Sequence, residues 1–236
     1  MEKIKLFCIP YSGGSASVYY RWKRLLREEI ILCPVELAGR GRRIREPFYE
    51  TVAEACEDIS TLILKELQPS EPYVIYGHSM GALLAFETYY ALKAKGADEP
   101  EHIFFSGRKA PNDEGEKTEY YKLPEKEFLD VVLGYGGNTQ EILQNRELLD
   151  MFVPILRADF KIAEVYDYQP HDGKILCDMT VVNGKSDLSV SAGDITMWSD
   201  FAGKQCSYQW IGGSHFFITD NCKDTAELIN RVLLPY

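Results

Sequence analysis

The chain alternates short apolar runs with longer stretches in which apolar residues recur every three or four positions. The short runs are bounded by Gly, Pro and polar residues, and such runs predict β-strands. They cover residues 4–10, 30–37, 73–77, 102–106, 180–184 and 207–212. Strands that alternate with helices are typical of an α/β protein, with a mostly parallel sheet and helices on both of its faces.

The periodic stretches predict the helices between these strands. From Val52 to Leu67, apolar residues recur on one helical face, and Pro69 then stops the helix. A second helix is predicted over residues 80–95, and the last one over residues 225–234. Helix and strand therefore alternate through most of the chain.

One region departs from this alternation. Residues 107–172 contain no strong strand signal, and two helices are predicted there, over residues 124–133 and 146–166, separated by a glycine-rich segment. Helices inserted between two strands would lie over the ends of the sheet as a lid, and the glycines would let that lid move. Helices that only pad the core are the alternative. Nothing marks a second unit, so residues 1–236 are expected to form a single domain with a lid insertion.

Composition and charge exclude several classes of protein. The 236 residues include 26 Lys and Arg against 36 Asp and Glu, which gives a net charge of −10. Because binding to the nucleic-acid backbone rests on Lys and Arg, this balance argues against a nucleic-acid partner. Residues 1–11 contain no apolar core of the length that a signal peptide needs, and the longest charge-free stretches, 72–86 and 205–219, are too short to span a membrane. We therefore expect a cytoplasmic protein that has no membrane partner, and we expect it to act as a monomer.

The six cysteines are scattered along the chain, with no CxxC pair and no nearby histidine at metal-ligand spacing. This pattern indicates reduced and mostly buried thiols, with disulfides as the alternative. No metal and no other cofactor is expected.

A chemical motif lies between the third predicted strand and the helix that follows it. The sequence there, Gly77-His78-Ser79-Met80-Gly81, has the form GxSxG. Between a strand and a helix, this motif forms a strained turn that holds the serine hydroxyl above the sheet. We therefore predict that Ser79 is a nucleophile.

A serine hydroxyl becomes a good nucleophile only when a positioned base takes its proton, so a histidine is needed. The chain has four histidines. His78 lies inside the turn, His102 opens a predicted strand and His171 lies in a polar turn. His215 lies in a glycine-rich loop after the last predicted strand, from which an imidazole can reach back over the sheet edge. His215 is the predicted base.

The third group of such a site is a carboxylate that orients the imidazole. Asp187 follows the fifth predicted strand, and the order Ser79, Asp187, His215 is that of α/β-hydrolases. Asp187 is therefore the predicted acid. Asp194 and Asp200 lie in the same interval and stay as alternatives.

The same chemistry needs N–H groups that stabilise a negatively charged oxygen. We predict that the backbone N–H of Met80, directly after the nucleophile, is one of these donors. The other is predicted to be the N–H of Ser12, in the loop after the first strand, where Gly13 and Gly14 follow. A plain tight turn is the alternative for this loop.

These segments together resemble a known family, the discrete type II thioesterases that accompany nonribosomal peptide and polyketide synthases. The resemblance runs along the whole chain and extends to the medium-chain acyl carrier protein thioesterase of fatty-acid synthesis. It rests on residues 7–14 (FCIPYSGG), 39–43 (GRGRR), 77–81 (GHSMG), 213–216 (GSHF) and Asp187. Ala38 and Ser12 depart from the family pattern, which usually has Pro and often has Ala at these places.

The resemblance implies an α/β-hydrolase fold and a reaction without a cofactor. It implies that acyl groups are hydrolysed from the phosphopantetheine thiol of an acyl or peptidyl carrier protein, through an acyl-enzyme at Ser79. The family's task is editing, in which a wrong or stalled acyl unit is removed from a blocked synthase. The carrier protein would be the partner.

The segment after the second predicted strand carries four arginines, Arg40, Arg42, Arg43 and Arg45. They form an island of positive charge on an acidic chain. We predict that the first three contact the phosphate of the pantetheine arm or an acidic carrier surface. A solvated loop that pairs with nearby glutamates is the alternative.

Two other functions stay open. A general carboxylesterase would act on small soluble esters and would be indifferent to a carrier protein. A non-catalytic binding protein on the same scaffold would show no turnover that depends on Ser79, but the intact set of Ser, His and Asp argues against it. Because no carrier or linker sequence is attached, we expect a free-standing hydrolase.

Overall fold

The computed structural model describes residues 3–113, 118–136 and 145–235. Within these ranges, six strands form one parallel sheet in the order β2-β1-β3-β4-β5-β6. The strands are β1 (Ile4–Ile9), β2 (Ile30–Pro34), β3 (Tyr73–His78), β4 (His102–Ser106), β5 (Asp178–Gly184) and β6 (Cys206–Ile211). The parallel α/β architecture predicted from the sequence is confirmed.

The helices of the described ranges are α1 (Val52–Glu66), α2 (Met80–Ala94), α3 (Glu125–Gly134), α4 (Arg146–Glu164), α5 (Ala192–Thr196), α6 (Phe217–Asp220) and α7 (Cys222–Leu233). Short 3₁₀ segments cover Ala16–Arg24, Gly41–Arg43, Tyr120–Lys122 and Met197–Phe201. The predicted helices are found with ends shifted by a few residues. The first 3₁₀ segment and the short helices α5 and α6 lie where no helix was predicted.

The strands bury both of their faces, because successive side chains of a strand point to opposite sides of the sheet. On one side Phe7 and Ile75 pack with residues of α1 and α2. On the other side Tyr76 and Phe104 pack with the 3₁₀ segment Ala16–Arg24 and with α7. Helical layers therefore cover both faces, as a parallel sheet requires.

The order of the strands creates a crevice at one edge of the sheet. β1 lies between β2 and β3, so the chain leaves β1 toward one side and returns to β3 on the other. The loops that follow β1 and β3 therefore diverge, and ligands of open α/β sheets bind at such a point. Ser12 and Ser79, which follow β1 and β3, both lie there.

Helices α3 and α4 occupy the long connection between β4 and β5. Phe128 and Val132 of α3 form a small apolar cluster with Leu156 of α4. Helix α4 also reaches the loop after β1, since a Cβ added to Gly13 would lie 2.6 Å from Leu156 Cδ2. Of the three glycines between the two predicted helices of the lid, Gly134 and Gly136 lie in the described residues, whereas Gly137 lies outside them.

All six cysteines are free thiols. Burial raises the pKa of Cys8 well above its ordinary value and that of Cys56 and Cys177 to about 12. These three thiols therefore stay protonated at neutral pH. No helix in the described ranges is both long enough and apolar enough to cross a bilayer.

Candidate active site

Ser79 lies in a strained turn between β3 and α2. Its backbone has a φ of 55° and a ψ of −118°, in the left-handed half of conformational space that residues with a Cβ rarely adopt. The flanking glycines make this turn possible. A Cβ at Gly77 would lie 2.0 Å from the Gly81 carbonyl oxygen, and a Cβ at Gly81 would lie 2.2 Å from the Ile9 carbonyl oxygen. The elbow predicted from the GxSxG motif is present.

The three predicted side chains are brought together. His215 Nε2 lies 3.0 Å from Ser79 Oγ, and His215 Nδ1 lies 2.8 Å from Asp187 Oδ2. The Asp187 carboxylate can only accept, so Nδ1 carries the proton and Nε2 is free to accept the Ser79 hydroxyl proton. His215 and Asp187 are buried. This arrangement allows His215 to act as a base toward Ser79.

Asp187 is held by more than the imidazole. Its Oδ1 accepts hydrogen bonds from the Ser189 hydroxyl at 2.6 Å and from the Ser189 N–H at 3.0 Å. Burial acts to raise the pKa of Asp187, but the hydrogen bonds from His215 and Ser189 outweigh it, so the pKa lies below its usual value. The carboxylate is therefore ionised at neutral pH and stabilises a positive charge on His215.

The two alternative acids make other contacts. Asp194 belongs to the capping box at the start of α5 and lies 3.5 Å from Lys109 Nζ. Asp200 accepts a hydrogen bond from Asn112 at 3.4 Å. Neither contacts His215 in the described ranges, which leaves Asp187 as the partner of the imidazole.

The loop after β1 forms a β-turn beside the elbow. The Gly14 N–H donates to the Tyr11 carbonyl at 2.8 Å, so Ser12 and Gly13 are the central residues of the turn. Gly13 has a φ of 80°, as the third residue of a type II turn does. Among the residues that the structure describes, no protein acceptor takes the N–H of Ser12 or Met80. Both N–H groups are therefore available to a substrate oxygen.

His78 has a role that the sequence did not indicate. Its Nε2 lies 2.9 Å from the His215 carbonyl oxygen, which can only accept, so Nε2 carries the proton. Nδ1 then accepts from the Ser106 hydroxyl at 2.9 Å, and Ser106 Oγ accepts from the Tyr76 hydroxyl at 2.8 Å. Burial, together with the nearby His215 ring, holds the pKa of His78 well below its usual value. A neutral His78 thus fixes the backbone of the predicted base.

The other two histidines lie away from the predicted base. His102, at the start of β4, is hydrogen-bonded to Thr180 at 2.8 Å. His171 contacts the Glu87 carboxylate at 3.0 Å. Neither imidazole faces Ser79 in the described ranges, which agrees with the choice made from the sequence.

The prediction that Arg40 contacts a carrier protein is wrong. Its side chain is only 3% exposed and forms an ion pair with Asp159 of α4, with Nη1 and Oδ2 2.6 Å apart. A buried guanidinium with two carboxylate contacts cannot meet a partner at the surface. This pairing could not be predicted from the sequence, because the two residues lie 119 positions apart.

The other two arginines of the predicted carrier contact differ from each other. Arg43 forms ion pairs with Glu46 and with Asp58 of α1, which neutralise its charge locally. Arg42 is exposed, and no ion pair involves it within the described part of the chain. Of the three arginines predicted to contact a carrier, Arg42 therefore keeps the surface charge that such a contact requires.

Side chains of the kinds that bind metal ions are not clustered in the described part of the chain. In the described ranges, no group of three or more His, Cys, Asp or Glu side chains is arranged to hold a metal ion.

Comparison with known proteins shows which family this chain resembles. A family model described as "Thioesterase domain" matches residues 4–233. The chain is 33% identical to the gramicidin S biosynthesis protein GrsT of Aneurinibacillus migulanus, over 98% of this chain and 89% of that protein.

Solved structures agree with this match. The crystal structure of ClbQ from the colibactin NRPS/PKS pathway has a TM-score of 0.94 and 31% identity, covering 98% of this chain and 97% of that one. YbtT, a type II thioesterase from the yersiniabactin NRPS/PKS pathway, has a TM-score of 0.84 and 26% identity, covering 97% and 92%. The α/β-hydrolase fold predicted from the sequence is confirmed. The chain therefore belongs to the thioesterase family, as a type II thioesterase.

Proposed function

We propose that this thioesterase hydrolyses acyl groups from the phosphopantetheine arm of acyl or peptidyl carrier proteins, and so frees synthases blocked by a wrong acyl unit. The observation that carries the proposal is the hydrogen-bonded series Ser79, His215 and Asp187 beside two backbone N–H groups that have no protein acceptor. Attack on a thioester carbonyl needs a nucleophile, a base and an oxyanion site, and these groups supply all three.

The first half of the reaction forms an acyl-enzyme. Ser79 Oγ attacks the thioester carbonyl carbon while His215 Nε2 takes the hydroxyl proton. The carbonyl oxygen becomes negative and accepts hydrogen bonds from the N–H groups of Ser12 and Met80. Asp187 stabilises the positive imidazolium. The C–S bond then breaks, and the pantetheine sulfur leaves as a thiol with the proton from His215.

The second half of the reaction releases the acid. His215 Nε2 takes a proton from a water molecule, which attacks the ester carbonyl on Ser79. The same two N–H groups stabilise the oxyanion again. When the C–O bond breaks, Ser79 Oγ recovers its proton from His215, and the carboxylic acid leaves. Atoms and protons balance without any further reactant.

We infer that residues 107–172 act as a lid that shapes the acyl site. The end of α3 supports this, because the ring centroid of Tyr135 lies 5.5 Å from that of His215. Helix α4 adds an apolar pocket of about 200 Å³, lined by Leu148, Met151, Phe152 and Ile155. An apolar surface on a segment that reaches the active site suits an acyl chain.

Arg42 remains the proposed contact for a carrier protein. Its guanidinium is exposed and forms no ion pair within the described residues, which suits the phosphate of the pantetheine arm or an acidic carrier surface. Arg42→Glu should raise KM for a carrier-bound substrate several-fold, because a rim charge of the wrong sign opposes docking. The same variant should hydrolyse a free pantetheine thioester at the normal rate.

The decisive experiment is a loading assay. Carrier proteins charged with acetyl, longer acyl or aminoacyl groups are incubated with the wild type or with Ser79→Ala, and release is followed over time. We expect release by the wild type and almost none by Ser79→Ala. Equal release by both proteins would contradict the proposal. Faster turnover of nitrophenyl esters than of carrier-bound thioesters would instead favour a general carboxylesterase.

A further inference from the structure

A buried ion pair joins the arginine-rich segment to helix α4. Arg40 Nη1 and Nη2 each lie 2.6 Å from one oxygen of Asp159, and the two side chains are 3% and 2% exposed. Such a pair is tolerated away from water only when its other donors and acceptors are also satisfied. Here the backbone of the turn after β1 supplies those partners.

The ion pair forms hydrogen bonds with two adjacent residues of the turn. Asp159 Oδ2 accepts the Gly13 N–H at 2.7 Å, and Arg40 Nη1 donates to the Gly14 carbonyl oxygen at 3.1 Å. Leu156, one helical turn before Asp159 on α4, packs against the same turn. A Cβ added to Gly13 would lie 2.6 Å from Leu156 Cδ2. The turn is therefore held by hydrogen bonds and by packing at once.

These contacts fix the conformation of the turn. The Gly13 N–H belongs to the central peptide of the turn, and turn types I and II differ by a rotation of that peptide. The hydrogen bond to Asp159 keeps the peptide in one orientation, with Gly13 at a φ of 80°. Ser12 contributes the carbonyl half of the same peptide, so this contact also fixes the ψ angle of Ser12. Its N–H stays free of protein acceptors in the described ranges.

We propose that Arg40 and Asp159 are positioning residues that hold the Ser12 N–H where the reacting carbonyl oxygen becomes negative. This proposal rests on the function proposed above. Because Asp159 lies on α4, the ion pair also makes the geometry of the oxyanion site depend on how α4 packs against the sheet. Neither side chain touches the substrate.

The first test is Asp159→Asn. Arg40 donates to both carboxylate oxygens, so the amide nitrogen of Asn would face an Arg40 N–H in either orientation, and in one of them it would also face the Gly13 N–H. Loss of a whole oxyanion donor costs about 10² to 10³ in kcat, and we expect a misplaced donor to cost about 10-fold to 10²-fold, with KM for acetyl-pantetheine nearly unchanged. Rates are divided by the number of active sites, counted by complete fluorophosphonate labelling of Ser79.

A second readout separates positioning from a general loss of structure. A short alkyl boronic acid forms a tetrahedral adduct on a catalytic serine and places an oxygen in the oxyanion site. Its Kd should rise by about the same factor as kcat falls. A fall in kcat with an unchanged Kd would overturn the proposal.

The matched control breaks a different ion pair of the arginine-rich segment, the one between Arg43 and Asp58. Arg43 and Asp58 lie 2.6 Å apart and do not contact the turn after β1. Asp58→Asn should therefore leave kcat for acetyl-pantetheine and the Kd of the boronic acid within about twofold of the wild type. A loss as large as that of Asp159→Asn would overturn the proposal.

A double variant keeps the test valid if Asp159→Asn does not fold. Arg40→Met combined with Asp159→Leu replaces the ion pair by apolar side chains, an exchange that often preserves stability. The Gly13 N–H still loses its acceptor, so kcat should stay low while the unfolding midpoint recovers. A kcat within threefold of the wild type would overturn the inference, whereas full activity of Ser79→Ala would overturn the proposed function instead.

Discussion

Two histidines lie side by side in this molecule with opposite chemical tasks. The ring centroids of His78 and His215 are 5.1 Å apart, and both residues are buried. His215 joins a carboxylate, Asp187, to a hydroxyl, Ser79. His78 joins a hydroxyl to the backbone carbonyl of His215 itself.

The partners explain the difference between the two rings. A carboxylate stabilises the positive form of the imidazole, so His215 can accept a proton and return it. A carbonyl offers only a dipole, and burial disfavours the charged form, so His78 stays neutral and acts as a fixed donor. Residue type alone therefore does not assign a catalytic histidine, whereas the group on its second nitrogen does.

The largest effect is expected for His215→Gln. Without a base, the Ser79 hydroxyl is a weak nucleophile, and kcat should fall by about 10⁵-fold to 10⁶-fold. Steady-state hydrolysis of acetyl-pantetheine measures this loss. His102→Gln is the control, since the His102 imidazole bonds to Thr180 and not to Ser79 in the described residues, so this variant should keep most of the activity. Similar losses in both variants would remove the distinction between the histidines.

Asp187→Asn tests the carboxylate on the second nitrogen. An Asn side chain can donate to Nδ1 and so favours the tautomer with its proton on Nε2, which cannot accept from Ser79. We expect kcat to fall by about 10⁴-fold. Asp194→Asn, in the same interval of sequence, should leave kcat unchanged because Asp194 caps α5. Near-normal activity of Asp187→Asn would show that His215 needs no acid partner.

His78→Asn should have a moderate effect on kcat. It removes the hydrogen bond to the His215 carbonyl, and loss of one such bond costs about 1 kcal/mol, which gives a fall of about 5-fold to 10-fold. Ser106→Ala sharpens the comparison, because the bond from Nε2 to His215 survives and kcat should fall less than threefold. A fall of 10⁴-fold for His78→Asn would mean that His78 handles protons as His215 does.

The smallest effect concerns stability against acid. The pKa of folded His78 lies well below 6.5, and burial lowers that of His102 to about 4. Below pH 6.5 the unfolded chain therefore binds protons that the folded chain does not. As the pH is lowered below 6.5, the free energy of unfolding should therefore decrease, by up to about 1.4 kcal/mol per pH unit for each histidine.

Urea unfolding at pH 6.0 and 5.0 measures this slope. His78→Asn lacks one of the two contributions, so its slope should be shallower than that of the wild type by up to about 1.4 kcal/mol per pH unit. An identical slope in both proteins would show that His78 is protonated in the folded state.

Local patterns were sufficient to predict the sheet and the three central side chains. The central strands β3 and β4 contain apolar runs and are buried along their whole length, because a central parallel strand is covered on both faces. The GxSxG motif selected Ser79 as the predicted nucleophile, since a strained turn at that residue needs glycine on both sides. The positions of the loops after the last two strands then left His215 as the candidate base and Asp187 as the preferred acid. The structure places His215 within hydrogen-bond distance of both Ser79 and Asp187.

The misassigned Arg40 and the missed role of His78 have a common cause. Both depend on partners distant in sequence, Asp159 for Arg40 and the carbonyl of His215 for His78. A run of arginines has the same composition whether it faces solvent or an aspartate on α4. The predicted strand over residues 30–37 was too long for a similar reason. β2 ends at Pro34, and Glu36 then turns to accept the Ala16 N–H at 3.0 Å.

The buried thiols have a consequence for where acyl groups can go. A thioester is an acyl donor to any accessible thiolate, so a reactive cysteine on this enzyme would compete with water by transacylation. Burial keeps Cys8, Cys56 and Cys177 protonated and out of contact with solvent. These three sulfurs are thereby insulated from thioesters and thiols in solution, so none of the three competes with water for an acyl group or forms a mixed disulfide.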